Sequence, residues 1–497
     1  MFAELGAEKM RLSELVSCIP FYEWKGPTSD PIIHSISHHH KSVKQGTLFI
    51  ALKGEKRDGR DFIQQAVLNG AAAVLCDIEL SLSIPVIQVK NSRHALAQIT
   101  NLFYGYPSYK MNVIGITGTN GKTTVSHMIQ SIVDYAGEKT GVIGTLYMKQ
   151  GAQTKTSINT TPDSLLLQQT LSDFLAHNVT TSIIEVSSHG LAQGRLFGCD
   201  IDIAVFTNLT QDHLDYHGTM DHYRWSKSLL FSQLGHNHFM DLPKFAIVND
   251  DDPFSEMIRQ ATSAHIISYG LNERSDVYAS KITYGRHSTA FTAHTPIGTI
   301  NIKIPVVGVF NVYNALASIA ATFAKRIPLS AIAEGLKNMQ SVPGRFEIVE
   351  ANQPFTIIVD YAHTPDSLEN VLQAIVKMRA GRTFVVVGCG GDRDKTKRPL
   401  MAKVACGYGT DVIFTADNPR SEDPADIIKD MEEGVPGHNY SVILDRKEAI
   451  AYAISQAKED DVILIAGKGH EKVQIIGNDL IPFDDKEVAF ELVKGAF

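Results

Sequence analysis

Short apolar runs that stop abruptly in polar or glycine-rich sequence recur along most of the chain, and they divide it into three segments. The first ends near Tyr109, where "FYGYPSYK" makes a turn-rich joint. It carries the short strands "GTLFIALKG" and "AAAVLCD" with a helical stretch between them. The second opens on a strand at 113–116, a glycine loop, and a helix from about Lys122 to Ala136 closed by Gly137. Strands at "TSIIEVSS", "IDIAVFTNL" and "FAIVND" follow, and alternation of strands with helices predicts a parallel, doubly wound sheet. From Asp276 to Val307 the period changes to two, which predicts antiparallel strands added to the same domain; a helix after Asn311 ends near Ala324. The third segment, from about residue 343, has the strands "FTIIVD", "RTFVVVG", "DVIFTAD" and "DVILIAG". They run out into "YAHTPD", "CGGDRDK", "NPRSEDP" and "KGHE". Ligands of open parallel sheets bind at the carboxyl ends of strands, so these charged loops describe one crevice. The expected fold is α/β with three domains at 1–109, 110–342 and 343–497. The central one is a nucleotide-binding domain of mostly parallel sheet with a small antiparallel addition.

A chain of 497 residues exceeds a single core, in keeping with several domains. At 44% apolar, 20% charged and a net charge of −8, nothing draws it to nucleic acid or an anionic membrane. Cys18, Cys76, Cys199, Cys389 and Cys406 are far apart and make no C-x-x-C pair, which argues against a zinc site or a disulfide framework. The opening stretch mixes acids and bases without an apolar run, and no run approaches the roughly 20 residues of a bilayer span. A cytoplasmic protein is expected.

The stretch "VIGITGTNGKTT", Val113 to Thr124, has the chemistry of a phosphate-binding loop with an unusual spacing, since Ile116 stands where the first glycine usually falls. Gly118 and Gly121 let backbone N–H groups face an anion, and the following helix N-terminus adds more. Lys122 can reach terminal phosphates and Thr123 can offer its hydroxyl to Mg²⁺. Such an ion takes few protein ligands beside phosphate oxygens and water. Glu185 has the position of a strand-end acid, and "NLTQDHLDYHGTMDHYRWSK" adds Asp212, His213, Asp215, His217 and His222, a cluster suited to metal and substrate.

"GTNGKTT", "NTTP" (Asn159–Pro162), "EVSSHGLAQGR" (Glu185–Arg195), "FTNLTQDHLDYHG" (Phe206–Gly218), "GVFNVYN" (Gly308–Asn314), "DYAHTPDS" (Asp360–Ser367), "GCGGDRDKTKRP" (Gly388–Pro399), "DNPR" (Asp417–Arg420) and "GKGHE" (Gly467–Glu471) together resemble the Mur ligase family. Within it the chain looks like the branch that adds a third amino acid to UDP-N-acetylmuramoyl-L-alanyl-D-glutamate. The resemblance implies an N-terminal domain for the uridine nucleotide, a central ATPase domain and a C-terminal Rossmann-like domain for the amino acid. It implies an ATP-dependent, Mg²⁺-requiring ligase that works through an acyl phosphate. ATP contacts would come from Gly118, Thr119, Asn120, Gly121, Lys122, Thr123 and Thr124, assisted by Asn311, Arg345 and Asp360. Asn159, Thr160, Thr161, Ser187, Gln193 and Arg195 would hold the muramoyl dipeptide. Lys227 matches a lysine that the family carbamylates; with Thr123, Glu185 and His213 it completes the implied metal and catalytic set.

Where the family reads D-S-R in the first domain, this chain has His39-His40-Lys41, which puts His40 in the place of a uridine-nucleotide contact. The tract His38–His40 reads as a drifted substrate loop, not a metal site, because neighbouring strand side chains point to opposite faces. The choice of amino acid rests on Arg420, whose planar fork suits a carboxylate. Arg393, Asp417, Asn418, Pro419, Gly467 and Glu471 would complete a pocket for meso-diaminopimelate. A lysine-adding ligase, a folylpolyglutamate synthase-like ligase and a non-enzymatic nucleotide-binding module are the alternatives. The group that deprotonates the amine, His213 or a nearby carboxylate, is open. A monomer with small-molecule partners is expected.

Overall fold

A computed structural model describes residues 9–54, 57–235, 243–285, 287–378 and 380–496 of the chain. Three sheets carry the architecture. In the first, Ser35–Ser37, Thr47–Ile50, Ala71–Cys76 and Val86–Gln88 run parallel, and Glu23–Lys25 closes the edge antiparallel. The joint at "PSYK" is a short 3-10 helix, Pro107–Lys110, entered through Tyr106 at φ 56°.

The second sheet has eleven strands. Its middle is parallel: Thr140–Ile143, Thr181–Glu185, Asn112–Thr117, Ile203–Phe206, Phe245–Asn249 and His265–Gly270, in that spatial order. These runs are buried on both faces, so they read as continuous Val/Ile sequence and not as alternation. Val277–Tyr284, Thr289–Thr295 and Gly298–Ile304 are the antiparallel strands expected from the period of two. They are hydrogen-bonded onto the same sheet, Val277–Tyr284 parallel to its neighbour and then two antiparallel turns. The opposite end gains the hairpin Tyr147–Gln150 and Gln153–Thr156. Helix Lys122–Tyr135 follows the glycine loop, and its buried Val125, Met128, Ile129, Ile132 and Val133 pack with helix Val309–Ala324 over one sheet face.

The third sheet orders Glu347–Val349, Thr356–Asp360, Val462–Ala466, Thr383–Val387, Asp411–Phe414 and Ser441–Val442, parallel except for the first. The four strands with charged loops are therefore consecutive in space, and their loops lie side by side. A small hairpin, Val473–Ile476 with Asp479–Pro482, leans on them. Among the described residues no helix is long and apolar enough to cross a membrane.

Candidate functional site

The loop between strand Asn112–Thr117 and helix Lys122–Tyr135 is shaped by glycine. Gly118 has φ 150° and Gly121 φ 88°, and a Cβ on Gly118 would collide with the Thr207 hydroxyl. Neighbouring side chains hold the loop: Asn208 Oδ1 accepts from Asn120 N at 2.9 Å, and Thr207 Oγ1 donates to Asn120 O at 2.6 Å. Lys122 Nζ folds back on its own loop, donating to Gly118 O at 2.8 Å and Thr119 O at 2.9 Å. Lys227 Nζ, on helix Met220–Ser232, donates to the same Gly118 oxygen at 2.7 Å and lies 4.7 Å from the Tyr223 ring centre. Lys227 is 1% exposed, and burial, then the charge of Lys122, drives its pKa well below the ordinary lysine value. Burial also lowers Lys122.

Glu185 ends strand Thr181–Glu185 beside this loop. Its Oε2 accepts from Thr123 Oγ1 at 2.9 Å and Thr145 Oγ1 at 2.8 Å, and Thr145 reaches Thr160 Oγ1 at 3.1 Å. These are hard oxygen donors, the kind Mg²⁺ prefers. His213 belongs to a different group. Its Nε2 is 3.4 Å from Asp212 Oδ2, and its ring meets His189 at 4.9 Å. Thr123, Glu185, His213 and Lys227 thus do not form one ready cage, and among the described residues no three His, Cys, Asp or Glu side chains converge as a metal site. Burial pushes His213 down to about 3 against the opposing charge of Asp212. Burial alone would raise Asp212, but His363, His213 and Lys397 draw it well below the usual carboxylate range.

A cavity of about 360 Å³ opens beside the loop, between the second and third sheets. It gathers Asn120, Gly121 and Thr124 with Asn311, Arg345 and Asp360, residues spread over 240 positions of sequence. Its size suits a nucleotide-sized ligand. Arg345 lies 4.6 Å from the Tyr361 ring centre, and Asp360 Oδ2 accepts from Phe346 N at 2.6 Å. Burial raises the Asp360 pKa against the opposing charge of Arg345.

On the other side of Glu185, Thr161 Oγ1 donates to Glu185 O at 2.9 Å and meets Ser187 Oγ at 3.1 Å. Arg195 donates to Thr161 O at 2.6 Å and, through Nε and Nη2, to Gln193 Oε1. Thr160, Thr161, Ser187, Gln193 and Arg195 therefore form one polar surface; Asn159 is exposed at its edge. His40 stands apart. The His tract lies past the end of strand Ser35–Ser37, so the opposite-faces argument does not apply there. His39 and His40 stack on each other at 5.2 Å, His40 stacks on Phe62 at 4.2 Å, and His38 Nε2 turns to Asp163 at 3.9 Å.

The third sheet's loops face the second sheet. Asn418 Nδ2 donates to Glu471 Oε2 at 2.6 Å, and Asp417 Oδ1 accepts from Asn418 N at 2.6 Å. A Cβ on Gly467 would collide with Asp417. Arg420, after Pro419, has φ 52° and is clamped by backbone bonds from Arg420 N to Ile475 O and from Gly477 N to Arg420 O. Its Nη1 donates to Gly391 O at 2.7 Å. Arg393 follows Gly391 on that loop and reaches across to Asp215 at 3.9 Å.

Further contacts cross the same cleft: Asn120 Nδ2 to Asp366 Oδ2 at 2.8 Å, Gln211 Nε2 to Asp394 at 3.2 Å and Thr396 at 3.1 Å, and His363 Nε2 to Asp212 at 3.8 Å. Asp366 and His363 lie in the quoted "DYAHTPDS", and Lys468 in "GKGHE". Sequence reasoning gave these three no role, because Asn120, Asp212 and Asn418, which they meet, are distant in the chain.

Family models match three stretches: Mur ligase family, catalytic domain, at residues 32–104; Mur ligase middle domain at 116–322; and Mur ligase, glutamate ligase domain, at 344–469. The UDP-N-acetylmuramoyl-L-alanyl-D-glutamate–2,6-diaminopimelate ligase of Bacillus cereus is 49% identical, covering 98% of this chain and 99% of the relative. That of Listeria innocua is 51% identical over 96% and 97%. A solved structure of a ligase with the same printed name superposes with a TM-score of 0.70 at 33% identity, over 98% and 99% of the two chains. A folylpolyglutamate synthase of Mycobacterium tuberculosis, solved with ADP and AMPPCP, shares the fold at 17% identity and a TM-score of 0.62 over 76% of this chain. With three family models in chain order and relatives at half identity over nearly its whole length, the chain belongs to the Mur ligase family.

Proposed function

We propose that the protein is the ATP-dependent ligase that joins meso-diaminopimelate to UDP-N-acetylmuramoyl-L-alanyl-D-glutamate. It would act as a cytoplasmic monomer of three domains, 1–109 for the uridine nucleotide, 110–342 for ATP and 343–497 for the amino acid. The observation that carries the reading is the meeting of the loops of the second sheet with the charged loops of the third, through Asn120 of the glycine loop with Asp366 and through Asp215 with Arg393. A phosphate donor at Lys122 and an amine beside Glu471 would then face a common acceptor. The names of relatives at about half identity support the same substrates.

In the first step an oxygen of the D-glutamyl γ-carboxylate bonds to the γ-phosphorus, and the bond to the β–γ bridging oxygen breaks, releasing ADP. In the second the amine nitrogen bonds to the acyl carbon, orthophosphate leaves and the nitrogen gives up a proton. Two anions meet in the first step, so Lys122 and the loop N–H groups stabilise developing charge. Thr123 and Glu185 would hold Mg²⁺, which when bound supplies further neutralisation of phosphate oxygens. Lys227 is buried and deprotonates readily, the form that takes up CO₂ as a carbamate; Lys122 alongside would balance the resulting anion. Thr160, Thr161, Ser187, Gln193 and Arg195 would orient the dipeptide toward Glu185's side of the loop, with Asn159 and His40 nearer its periphery. Held near 3, His213 is too weak a base to keep the amine's proton with the protein's charges alone, and phosphate arriving near Lys122 and Lys227 would raise it. Its neighbour Asp212, drawn well below the usual carboxylate range, is a weaker base still.

Phosphate release with ATP and the UDP-muramoyl dipeptide, over a panel of amino acids, tests the proposal. Release that requires meso-diaminopimelate supports it. Release independent of any amino acid marks a plain nucleotide hydrolase and refutes it.

A further inference from the structure

Lys468, inside the loop 467–471, has no role in the reaction outlined above, yet it is the most enclosed cation of the amino-acid loops. It is 0% exposed, although lysine is among the residues least often buried. Its three donors are all used: Nζ donates to Asn418 Oδ1 at 3.0 Å, to Glu471 Oε2 at 3.2 Å and to Val473 O at 2.7 Å. Two of these acceptors belong to Asn418 and Glu471, which the proposed reading places in the amino-acid pocket.

The consequence is orientational. Asn418 Oδ1 accepts from Lys468 and from Ile475 N at 2.9 Å, while its Nδ2 donates to Glu471 Oε2 at 2.6 Å. The amide therefore cannot flip without losing three bonds. Glu471 Oε2 is taken by both Lys468 and Asn418. Among the described residues Oε1 has a single long approach, from Tyr361 Oη at 3.5 Å. The carboxylate is thus turned with one oxygen inward and the other left to receive a cation.

We infer that Lys468 is a positioning residue for amino-acid recognition: it never touches the substrate, but it locks Asn418 and Glu471 in the one arrangement that presents an acceptor to the incoming ammonium group. The inference rests on the amino-acid-ligase reading. The competing role is scaffolding alone, docking the hairpin Val473–Ile476 through Val473 O.

The full-length enzyme, with Lys468→Met and Lys468→Gln variants, separates them. Phosphate release is measured while meso-diaminopimelate, ATP and the UDP-muramoyl dipeptide are varied in turn, and melting curves report folding. Loss of charge-assisted bonds of this kind predicts a rise of about ten-fold or more in KM for meso-diaminopimelate. The kcat and the KM values for ATP and the UDP substrate stay close to those of the parent. An unchanged KM for meso-diaminopimelate in a folded variant overturns the inference. So does a parallel loss in all three KM values, or failure of both variants to fold, each of which assigns Lys468 to the scaffold. If the unsubstituted enzyme itself releases no phosphate in response to meso-diaminopimelate, the ligase reading falls instead.

Discussion

Lys122 and Lys227 donate to one and the same acceptor, the Gly118 carbonyl, at 2.8 and 2.7 Å. Two ammonium groups on one oxygen are mutually unfavourable, and the charge of Lys122 is the second cause of the fall in Lys227's pKa after burial. The pair makes sense beside arriving anions. Phosphate at the loop would attract Lys122 away from Gly118, and a negative group on Lys227 would remove the repulsion.

Lys122→Ala is therefore expected to leave a folded protein with almost no ligase activity. Loss of one such charge-stabilising contact costs on the order of 3 kcal/mol in the transition state, more than a hundred-fold in rate. Turnover close to that of the parent, measured by phosphate release, contradicts the assignment of the loop.

Lys227→Ala should be nearly inactive and partly rescued by acetate or formate, which return an anion to the vacated space. Lys227→Met makes a separate stability prediction. The folded pKa of Lys227 lies below its unfolded value of about 10.4, so the unfolded chain binds more protons between those two values. Burying this lysine is therefore most costly at the acid end of that window, and the cost vanishes as pH rises toward the unfolded value. In bicarbonate-free buffer the methionine variant should melt higher than the parent, by a margin that shrinks as pH rises. A variant that melts lower by the same margin at every pH contradicts the account.

Asp366→Ala removes the bond from Asn120 that ties the glycine loop to helix Pro365–Met378. A hydrogen bond to a charged group is worth about 1.5–3 kcal/mol, so KM for ATP should rise roughly ten-fold or more, and Asp366→Asn should recover part of it. Equal KM values for parent and both variants mean that the contact does not position the loop.

Most of the strands were legible because buried parallel strands are continuous apolar runs bounded by polar loops, as "FTIIVD" and "DVILIAG" are. The hairpin Tyr147–Gln150 and Gln153–Thr156 was not, because its second strand, "QTKT", is wholly exposed and carries no apolar alternation. The glycine loop and the loops around Asp417 and Glu471 were readable from local chemistry. The burial of Lys227 was not: "YRWSKSLL" reads as a surface turn of helix until Gly118, 109 positions earlier, is folded against it. The same holds for Asn120 with Asp366 and for Lys468 with Asn418, whose meaning depends on tertiary approach. The left-handed backbone of Arg420 likewise follows from the hairpin that clamps it, not from its own sequence.

In the proposed reading Arg420 would carry the choice of amino acid. Its guanidinium sits by Gly391, on the loop that also bears Arg393, and the second carboxylate of meso-diaminopimelate is the group a planar cation there would read. L-lysine lacks that carboxylate and would leave the arginine desolvated without an anionic partner. The most direct test is kcat/KM for meso-diaminopimelate against L-lysine, by ATP- and UDP-muramoyl-dipeptide-dependent phosphate release, in the parent enzyme and in Arg420→Ala. The account predicts a strong preference for meso-diaminopimelate in the parent that is largely abolished in the variant. Equal use of the two amino acids by the parent contradicts it.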